Sequence, residues 1–291
     1  MATLRPESDR DREGPDSDSG GECTAGEARR LAEQSLGALT EDRLLGGRVR
    51  LLQPAAGYRA ATDPVLLAAA VPALPGESVL ELGLGAGAAS LCLAARVPGL
   101  GLTGIEIEAG YAALARVNAA AAGVALEVVE GDVTAMPAGL RAWRFDHVIL
   151  NPPYHAQGPA SPVPVRDRAH REGAGAAGGG LGPWLAAALK RARPRGRITL
   201  IHRAERLPEI LRALSGPAGA IRVLPLIARA GRPAGRVIVT ARTQVATPFV
   251  LLAPLVLHEG AVHASDGDDF TPEARAALRD AGALTLSEDR P

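Results

Sequence analysis

From residue 78 onwards, short apolar runs alternate with longer segments in which apolar residues recur at helical spacing. The short runs predict buried strands at 78–82, 102–106, 126–130, 145–150, 197–202, 221–227 and 236–241. The longer segments predict helices that end near residue 96 and that cover 111–122, 181–193 and 207–214. This alternation indicates an α/β fold with a seven-stranded, mostly parallel sheet and helices on both faces. The last two strands have only a short link between them, so the sheet is expected to end in an antiparallel strand.

The flanks of this domain, which we place at 77–260, have different patterns. Residues 1–38 mix Arg with Asp and Glu and offer little apolar surface, which predicts a disordered acidic tail. Within 39–76, residues 49–52 predict a short strand and residues 65–71 a helix that begins at Asp63, as N-cap, and Pro64.

The second half of the chain contains a long segment without hydrophobic periodicity. Residues 155–180 are rich in Gly, Ala and Pro and predict a mobile loop inside the domain. Residues 249–257 predict an edge strand, and 272–281 a terminal helix within a C-terminal segment, 261–291.

Composition narrows the class of protein. Hydrophobic residues make up 47% of the chain but aromatic residues only 3%, so the core consists of Ala, Val, Leu and Ile. Cys23 and Cys92 are the only cysteines, too few for a disulfide framework. No apolar run reaches the roughly 18 residues of a membrane span, and the acidic N-terminus lacks the apolar stretch of a signal peptide. These features predict a cytoplasmic protein that does not bind membranes.

The net charge of zero conceals an uneven distribution of charge. Residues 141–242 carry 18 basic and 5 acidic side chains, whereas the remainder carries 14 and 27. Two interpretations stay open. In the first, arginine is simply the usual surface cation of this chain, in which Lys190 is the sole lysine. In the second, the basic segment faces a polyanion.

A glycine-rich turn follows the first predicted strand of the domain. Gly83, Gly85 and Gly87 lack Cβ atoms, so the backbone can approach a ligand closely. Glu106 ends the next strand, where a carboxylate accepts hydrogen bonds from ribose hydroxyls. The pair predicts a cofactor that contains adenosine. The alternative is a tight turn beside a solvated glutamate.

Two further carboxylates lie near the same predicted sheet edge. Asp132 follows the third strand and is placed to accept from an adenine amino group, although it is also a plausible turn cap. Glu81 ends the first strand and is placed to face the ammonium group of a ligand.

The fourth strand ends at Asn151, Pro152, Pro153 and Tyr154. An exocyclic or amide nitrogen is a poor nucleophile because its lone pair is delocalised. If the Asn151 side-chain oxygen and the Pro152 carbonyl accept its two hydrogens, the lone pair localises and can be aimed at a sulfonium methyl group. Tyr154 offers a ring on which a planar substrate stacks. The alternative is a proline turn with an Asx cap.

The motifs at 79–87, 104–106, 130–132 and 151–154 resemble those of class I S-adenosylmethionine-dependent methyltransferases. Three further stretches, 53–59, 62–68 and 198–203, narrow the resemblance. The resemblance covers residues 40–260 and is closest to the bacterial tRNA adenine-N6 methyltransferases. It implies a Rossmann-like sheet, S-adenosylmethionine as cofactor, and residues 39–76 as a segment that caps the cofactor.

The resemblance also implies roles for individual residues. Glu81, Gly83 and Gly85 would line the methionine end of the cofactor, Glu106 its ribose and Asp132 its adenine. Tyr58 and Asp63 would lie near the cofactor, while Asn151, Pro152 and Tyr154 would hold the target base. The family often has an aromatic residue where this chain has His155.

The remaining candidates belong to the substrate side. His155 is either a substrate contact or an ordinary solvated loop histidine. The candidate phosphate contacts, with ordinary surface charge as the alternative, are Arg166, Arg168, Arg171, Arg193, Arg195 and Arg197. His147 and His202 are expected to pack inside the sheet. No His, Asp or Glu pairing has the spacing of metal ligands, so no metal is predicted.

The favoured function is therefore methyl transfer to an exocyclic amino group of an RNA base, most simply adenine N6 in tRNA. One alternative keeps the chemistry but changes the substrate to a glutamine amide of a release factor. The other is a non-catalytic RNA-binding protein that retains the fold. The sequence does not indicate an oligomeric state, and a monomer is assumed.

Overall fold

The protein is described here from a computed structural model, which covers residues 24–57, 59–153, 180–260 and 269–286. The helices are α1 (Ala25–Leu36), α2 (Thr62–Ala70), α3 (Ala88–Arg96), α4 (Ala109–Ala122), α5 (Ala138–Ala142), α6 (Gly182–Arg191), α7 (Leu207–Leu214) and α8 (Pro272–Arg279). The strands are β1 (Leu39–Leu44), β2 (Val49–Pro54), β3 (Ser78–Leu82), β4 (Gly101–Glu106), β5 (Leu126–Glu130), β6 (Phe145–Leu150), β7 (Ala192–Arg203), β8 (Ala218–Ile227), β9 (Arg236–Thr243), β10 (Val250–Leu251) and β11 (Leu255–Val256).

The central sheet has the order β5-β4-β3-β6-β7-β9-β8, with the two short strands β10 and β11 on the outer edge of β8. All pairs from β5 to β7 are parallel, whereas β9 runs antiparallel to both of its neighbours. The predicted α/β sheet with an antiparallel last strand is therefore confirmed. The strand order reverses between β3 and β6, which is where open α/β sheets bind ligands.

Two hydrophobic cores cover the two faces of this sheet. One core joins the sheet to α1, α2, α3, α4 and α8, and the other joins it to α5, α6 and α7. Strand residues alternate between them. Ile149 and Ile201 face the first core, while Val148, Ile198 and Leu200 face the second. Because both faces are covered, apolar residues occupy both alternating sets of positions along much of these strands.

The prediction of a disordered tail over 1–38 is wrong for its last part. Residues 25–36 form α1, and Thr24 starts this helix with a capping box in which Glu27 is the reciprocal partner. Ala28, Ala32 and Leu36 are buried at helical spacing against α4. Residues 1–23 lie outside the described part of the chain.

The N-terminal segment contains more structure than its pattern indicated. The expected strand at 49–52 is confirmed as β2, but it pairs antiparallel with β1, which the sequence analysis missed. The predicted helix is also present, yet Asp63 does not cap it. Ala61 occupies the N-cap position without a side-chain bond, and Asp63 forms an ion pair with Arg236 on β9 at 3.0 Å.

The predicted edge strand at 249–257 forms as two separate two-residue strands, β10 and β11, on the edge of β8, and the predicted terminal helix is α8, which ends at 279 and not at 281. Most of the predicted loop, 155–179, lies outside the described residues. Within the described part of the chain, no helix is both long and apolar enough to cross a bilayer.

Candidate active site

The glycine turn and the Asn-Pro-Pro turn lie side by side because of strand register. Leu82 on β3 pairs with Leu150 on β6, and each is the last residue of its strand. The next residues are Gly83 and Asn151, so the two turns leave the same edge of the sheet next to each other. The sequence prediction that these motifs share one edge is therefore supported by the register.

Glu106 ends β4 on the other side of β3 and holds the glycine turn in place. Its Oε2 accepts from the Gly85 N–H at 2.7 Å, and its Oε1 accepts from the Glu108 N–H at 3.0 Å. Each carboxylate oxygen retains further acceptor capacity, and 8% of the residue stays exposed. A rigid, almost fully buried carboxylate with acceptor capacity left at this point fits a ribose with two adjacent hydroxyls.

The glycine turn itself requires a backbone that other residues avoid. Gly83 has φ of 73° and Gly85 has φ of 55°, both in the left-handed region. A Cβ atom on Gly83 would lie 2.9 Å from the indole ring of Trp184. Among the described residues, no atom lies within 4 Å of a Cβ atom built on Gly85, which leaves room for a ligand beside this residue.

Glu81 is buried one residue before the end of β3. Its Oε2 accepts from the Ser90 N–H at 2.9 Å and from the Ser90 hydroxyl at 2.5 Å, and only 3% of the residue is exposed. Burial raises the pKa of this carboxyl to about 7, against the opposing effect of the two bonds from Ser90. Burial also raises the pKa of Glu106. Both carboxyls are thus sensitive to any cation that enters the site.

Asp132 is engaged in a local turn after β5. Its Oδ1 accepts from the Thr134 N–H at 2.7 Å and from the Thr134 hydroxyl at 2.8 Å. This is the capping role that the sequence analysis held open. A role toward adenine stays a prediction that depends on the other carboxylate oxygen.

Strand β7 supports the Asn-Pro-Pro turn from the side of β6 that faces away from β3. Leu200 on β7 pairs with Leu150, and His202 lies just beyond this pair with no exposed surface. Burial lowers the pKa of His202 to about 4, helped by the positive charge of Arg206, while a hydrogen bond with the Pro153 carbonyl acts in the opposite direction. His202 is therefore neutral near pH 7 and lies against the backbone of the motif, packed inside the sheet as predicted.

The structure adds residues that the sequence analysis did not single out. Asn118 on α4 is 1% exposed, accepts from the Leu52 N–H at 2.8 Å, and donates to the carbonyls of Leu52 and Ala86 at 3.0 Å each. It thereby ties β2 to the glycine turn. Trp184 on α6 is the other addition, because its ring packs on Gly83.

A second polar cluster shapes the segment before α2. Gln53 is 1% exposed, donates to Asp42 at 2.6 Å and accepts from the Ala60 N–H at 2.6 Å. Arg59 binds Asp42 as well and donates to the Pro54 carbonyl at 3.0 Å. These bonds hold Pro54 and Ala60, described residues on either side of position 58.

Several predicted site residues lie outside the described part of the chain: Tyr58, Tyr154, His155, Arg166, Arg168 and Arg171. Their roles stay predictions. Arg193, Arg195 and Arg197 are described, and they lie at the amino end of β7, opposite the edge that carries the motifs. Arg193 forms an ion pair there with Asp146 at 2.7 Å. In the described ranges, no cluster of three or more His, Cys, Asp or Glu residues has the arrangement of a metal site.

Comparison with known proteins agrees with this geometry. The sequence model of the methyltransferase small domain matches residues 61–168. A structure described as a predicted O-methyltransferase from Agrobacterium tumefaciens superposes with a TM-score of 0.62 and 28% identity, over 78% of this chain and 99% of that one. The fold and the motifs at its carboxyl edge thus define a methyltransferase of the Rossmann-like class.

Sequence relatives narrow this class. The tRNA1(Val) (adenine(37)-N6)-methyltransferase of Porphyromonas gingivalis is 30% identical over 187 residues, which are 60% of this chain and 72% of that protein. The protein of the same name from Shewanella halifaxensis is 36% identical over 107 residues, 36% of this chain, and the match spans only 43% of that relative. The chain belongs to the family of tRNA1(Val) (adenine(37)-N6)-methyltransferases.

Proposed function

We propose that this protein transfers a methyl group from S-adenosylmethionine to an exocyclic amino nitrogen of an RNA base, most simply N6 of an adenine in tRNA. The observation that carries the proposal is the position of Asn151 and Pro152. They follow β6 directly, beside the glycine turn after β3, and β4, which ends at Glu106, lies on the other side of β3. The site therefore joins a cradle for adenosine to acceptors for an amino group.

The carboxyl edge of the sheet supplies the groups that would hold the cofactor. Glu106 would accept the ribose hydroxyls, Asp132 the adenine amino group, and Glu81 the ammonium group, while Gly83 and Gly85 leave room for the backbone to approach. Tyr58 and Asp63 would lie near the same ligand. When bound, S-adenosylmethionine supplies an electrophilic methyl group on a sulfonium centre.

The Asn-Pro-Pro turn would act on the amino group of the substrate. Asn151 Oδ1 and the Pro152 carbonyl accept its two N–H groups, which draws the nitrogen lone pair out of the ring and directs it. The contribution is orientation and electrostatics, and no titrating side chain is required. Tyr154 would provide the stacking surface for the base, and a stack of this kind contributes about 1–3 kcal/mol.

An RNA substrate is supported by charge and by the names of the relatives. The basic segment 141–242, with 18 basic and 5 acidic side chains, offers phosphate contacts, among them Arg166, Arg168 and Arg171. His155 is the nearest candidate for a direct contact to the base. The cytoplasm, where tRNA is modified, is the expected compartment, and a monomer is the simplest form for such an enzyme.

The test is transfer of labelled methyl from S-adenosylmethionine to total tRNA from cells that lack this gene, followed by nucleoside analysis. Purified release factor is incubated in parallel. N6-methyladenosine in tRNA is the expected product. Label in release factor alone would replace the proposal with glutamine methylation, and RNA binding without any transfer would indicate a protein that has lost catalysis.

A further inference from the structure

The amino half of the sheet carries an unusual set of polar side chains on the face toward α2 and α8. The members come from four adjacent strands and share this face because they alternate with residues of the opposite core. These side chains form two rows. One row crosses β6, β7 and β9 and consists of His147, Arg197 and Arg242, and the other crosses β7, β9 and β8 and consists of Thr199, Thr240 and Arg222. We call the three guanidinium groups of Arg197, Arg222 and Arg242 the arginine face.

The arginine face brings like charges together. Arg197 and Arg242 are direct register partners on antiparallel strands, a position at which two like charges destabilise a sheet. Burial lowers the pKa of Arg197, and the charges of Arg242 and Arg222 lower it further. Within the described ranges, no carboxylate forms an ion pair with Arg197 or Arg242. Glu77, the acid that acts on Arg197, holds His147 at 2.9 Å instead.

Two hydroxyl groups lie next to these charges. Thr199 and Thr240 face each other across β7 and β9 and are 0% and 1% exposed. Neither side-chain oxygen has a hydrogen-bond partner among the described residues. A buried hydroxyl without a partner is rare and usually marks a place for a water molecule or an ion. The guanidinium groups beside these hydroxyls are donors, and a hydroxyl can donate as well as accept, so an acceptor placed here would bond both kinds of group.

We infer that the arginine face binds a phosphate group of the RNA backbone. Arg197, Arg222 and Arg242 each keep part of their surface exposed, and a planar guanidinium matches phosphate oxygens with paired donors. The inference rests on the proposed function for its ligand. Ile201 is the position on β7 that lies level with Asn151. Arg197 lies four residues before Ile201, a distance of about 13 Å along the strand. One RNA molecule can therefore contact both places.

The experiment compares RNA affinity in variants that keep the aliphatic part of the side chain. The double variant R197Q/R242Q removes two charges from the face, R197K/R242K keeps them, and R29Q/R30Q removes two exposed charges from α1. Fluorescence anisotropy with an unmodified tRNA transcript is measured from 50 to 300 mM KCl. We expect R197Q/R242Q to bind about 5- to 10-fold more weakly at 150 mM and to lower the salt slope by about one to two. The Lys variant and the α1 variant should keep the wild-type slope.

Other outcomes overturn the inference. A wild-type slope and affinity in R197Q/R242Q, while the wild-type protein still methylates tRNA, would remove this site and leave the proposed function standing. If inorganic phosphate raises the Tm of the wild-type protein but not of R197Q/R242Q, and RNA affinity is unchanged, the ligand is a free anion instead. If R197Q/R242Q does not fold, the test passes to R197K/R242K, which keeps both charges. A halved RNA affinity or a halved salt slope in that variant would equally refute a charge-based contact. No methylation of RNA by the wild-type protein would count against the proposed function itself.

Discussion

The ionisation of Glu81 offers the sharpest test of how this site binds its cofactor. The carboxyl is buried and has its pKa raised to about 7. Raising the pKa from its ordinary value of 4.5 to about 7 corresponds to about 3 kcal/mol, because one pKa unit is 1.36 kcal/mol. The folded state favours the protonated acid, so this group destabilises the ligand-free fold as pH rises from 4.5 to 7, and the effect is then constant.

A bound ammonium group reverses this preference. If Glu81 faces the ammonium group of the cofactor, binding requires the ionised carboxylate, and the affinity follows the ionised fraction. For a pKa near 7 that fraction rises about 10-fold between pH 6 and pH 8. Glu81→Gln keeps an acceptor for Ser90 but has no charge. We therefore expect this variant to bind S-adenosylhomocysteine about 10- to 100-fold more weakly at pH 8, with little dependence on pH.

Isothermal titration calorimetry with S-adenosylhomocysteine at pH 6, 7 and 8 measures this directly. Two buffers with different ionisation enthalpies report the number of protons released on binding. Glu33→Gln on α1 is the matched control, since it removes an exposed carboxylate. Glu106 also has a raised pKa, so Glu106→Gln should weaken binding yet retain the pH slope that Glu81 contributes. The same pH slope in wild-type protein and in Glu81→Gln would refute the assignment.

Three further substitutions test the remaining parts of the site. Asn151→Ala should abolish methyl transfer and leave S-adenosylhomocysteine affinity within about twofold, because its bonds belong to the reacting nitrogen; an equal loss of both, by calorimetry and label transfer, would contradict that role. Gly83→Ala should lower the unfolding free energy by about 1–3 kcal/mol in urea melts, because its Cβ atom would lie 2.9 Å from Trp184 and its φ is 73°. Gly139→Ala on α5, where no described residue comes within 4 Å of the added Cβ atom, is the control and should not be destabilising. Asn118→Ala should lower the unfolding free energy by about 2–4 kcal/mol in the same melts, since it leaves buried backbone groups of β2 and the glycine turn without partners. An unchanged unfolding free energy would mean that water replaces the side chain.

The sheet and its motifs were predictable because they depend on local patterns. Short, mostly apolar strands and their order along the chain determine which turns leave the carboxyl edge. Glu106 and Asn151 each follow or end such a strand, so their sharing of an edge needs no knowledge of side-chain packing. The capping box of Thr24 and Glu27 was also visible in the sequence, and it would have predicted α1.

The errors come from contacts between distant segments. Asp63 has the residue type and position of a helix cap, but Arg236, 173 residues away, binds its carboxylate. Trp184 and Asn118 sit in ordinary helical patterns, and only their neighbours in space give them a part in the site. A local pattern contains no information about partners of this kind.

The register between β6 and β7 explains how these two strands position two sites on the sheet. The pairs Leu150 with Leu200 and His147 with Arg197 belong to the same two strands, three residues apart. The first pair aligns His202 with the Asn-Pro-Pro turn, and the second aligns the arginine face with the amino edge. A shift of one residue between β6 and β7 would move Arg197 to the apolar core toward α6 and turn His202 away from Pro153. The apolar residues between them, packed on both faces, therefore fix the spacing between the proposed methyl-transfer site and the proposed phosphate site. Substitutions that loosen this packing should weaken RNA binding and methyl transfer together. Substitutions at only one of the two proposed sites should separate the effect on RNA binding from the effect on methyl transfer.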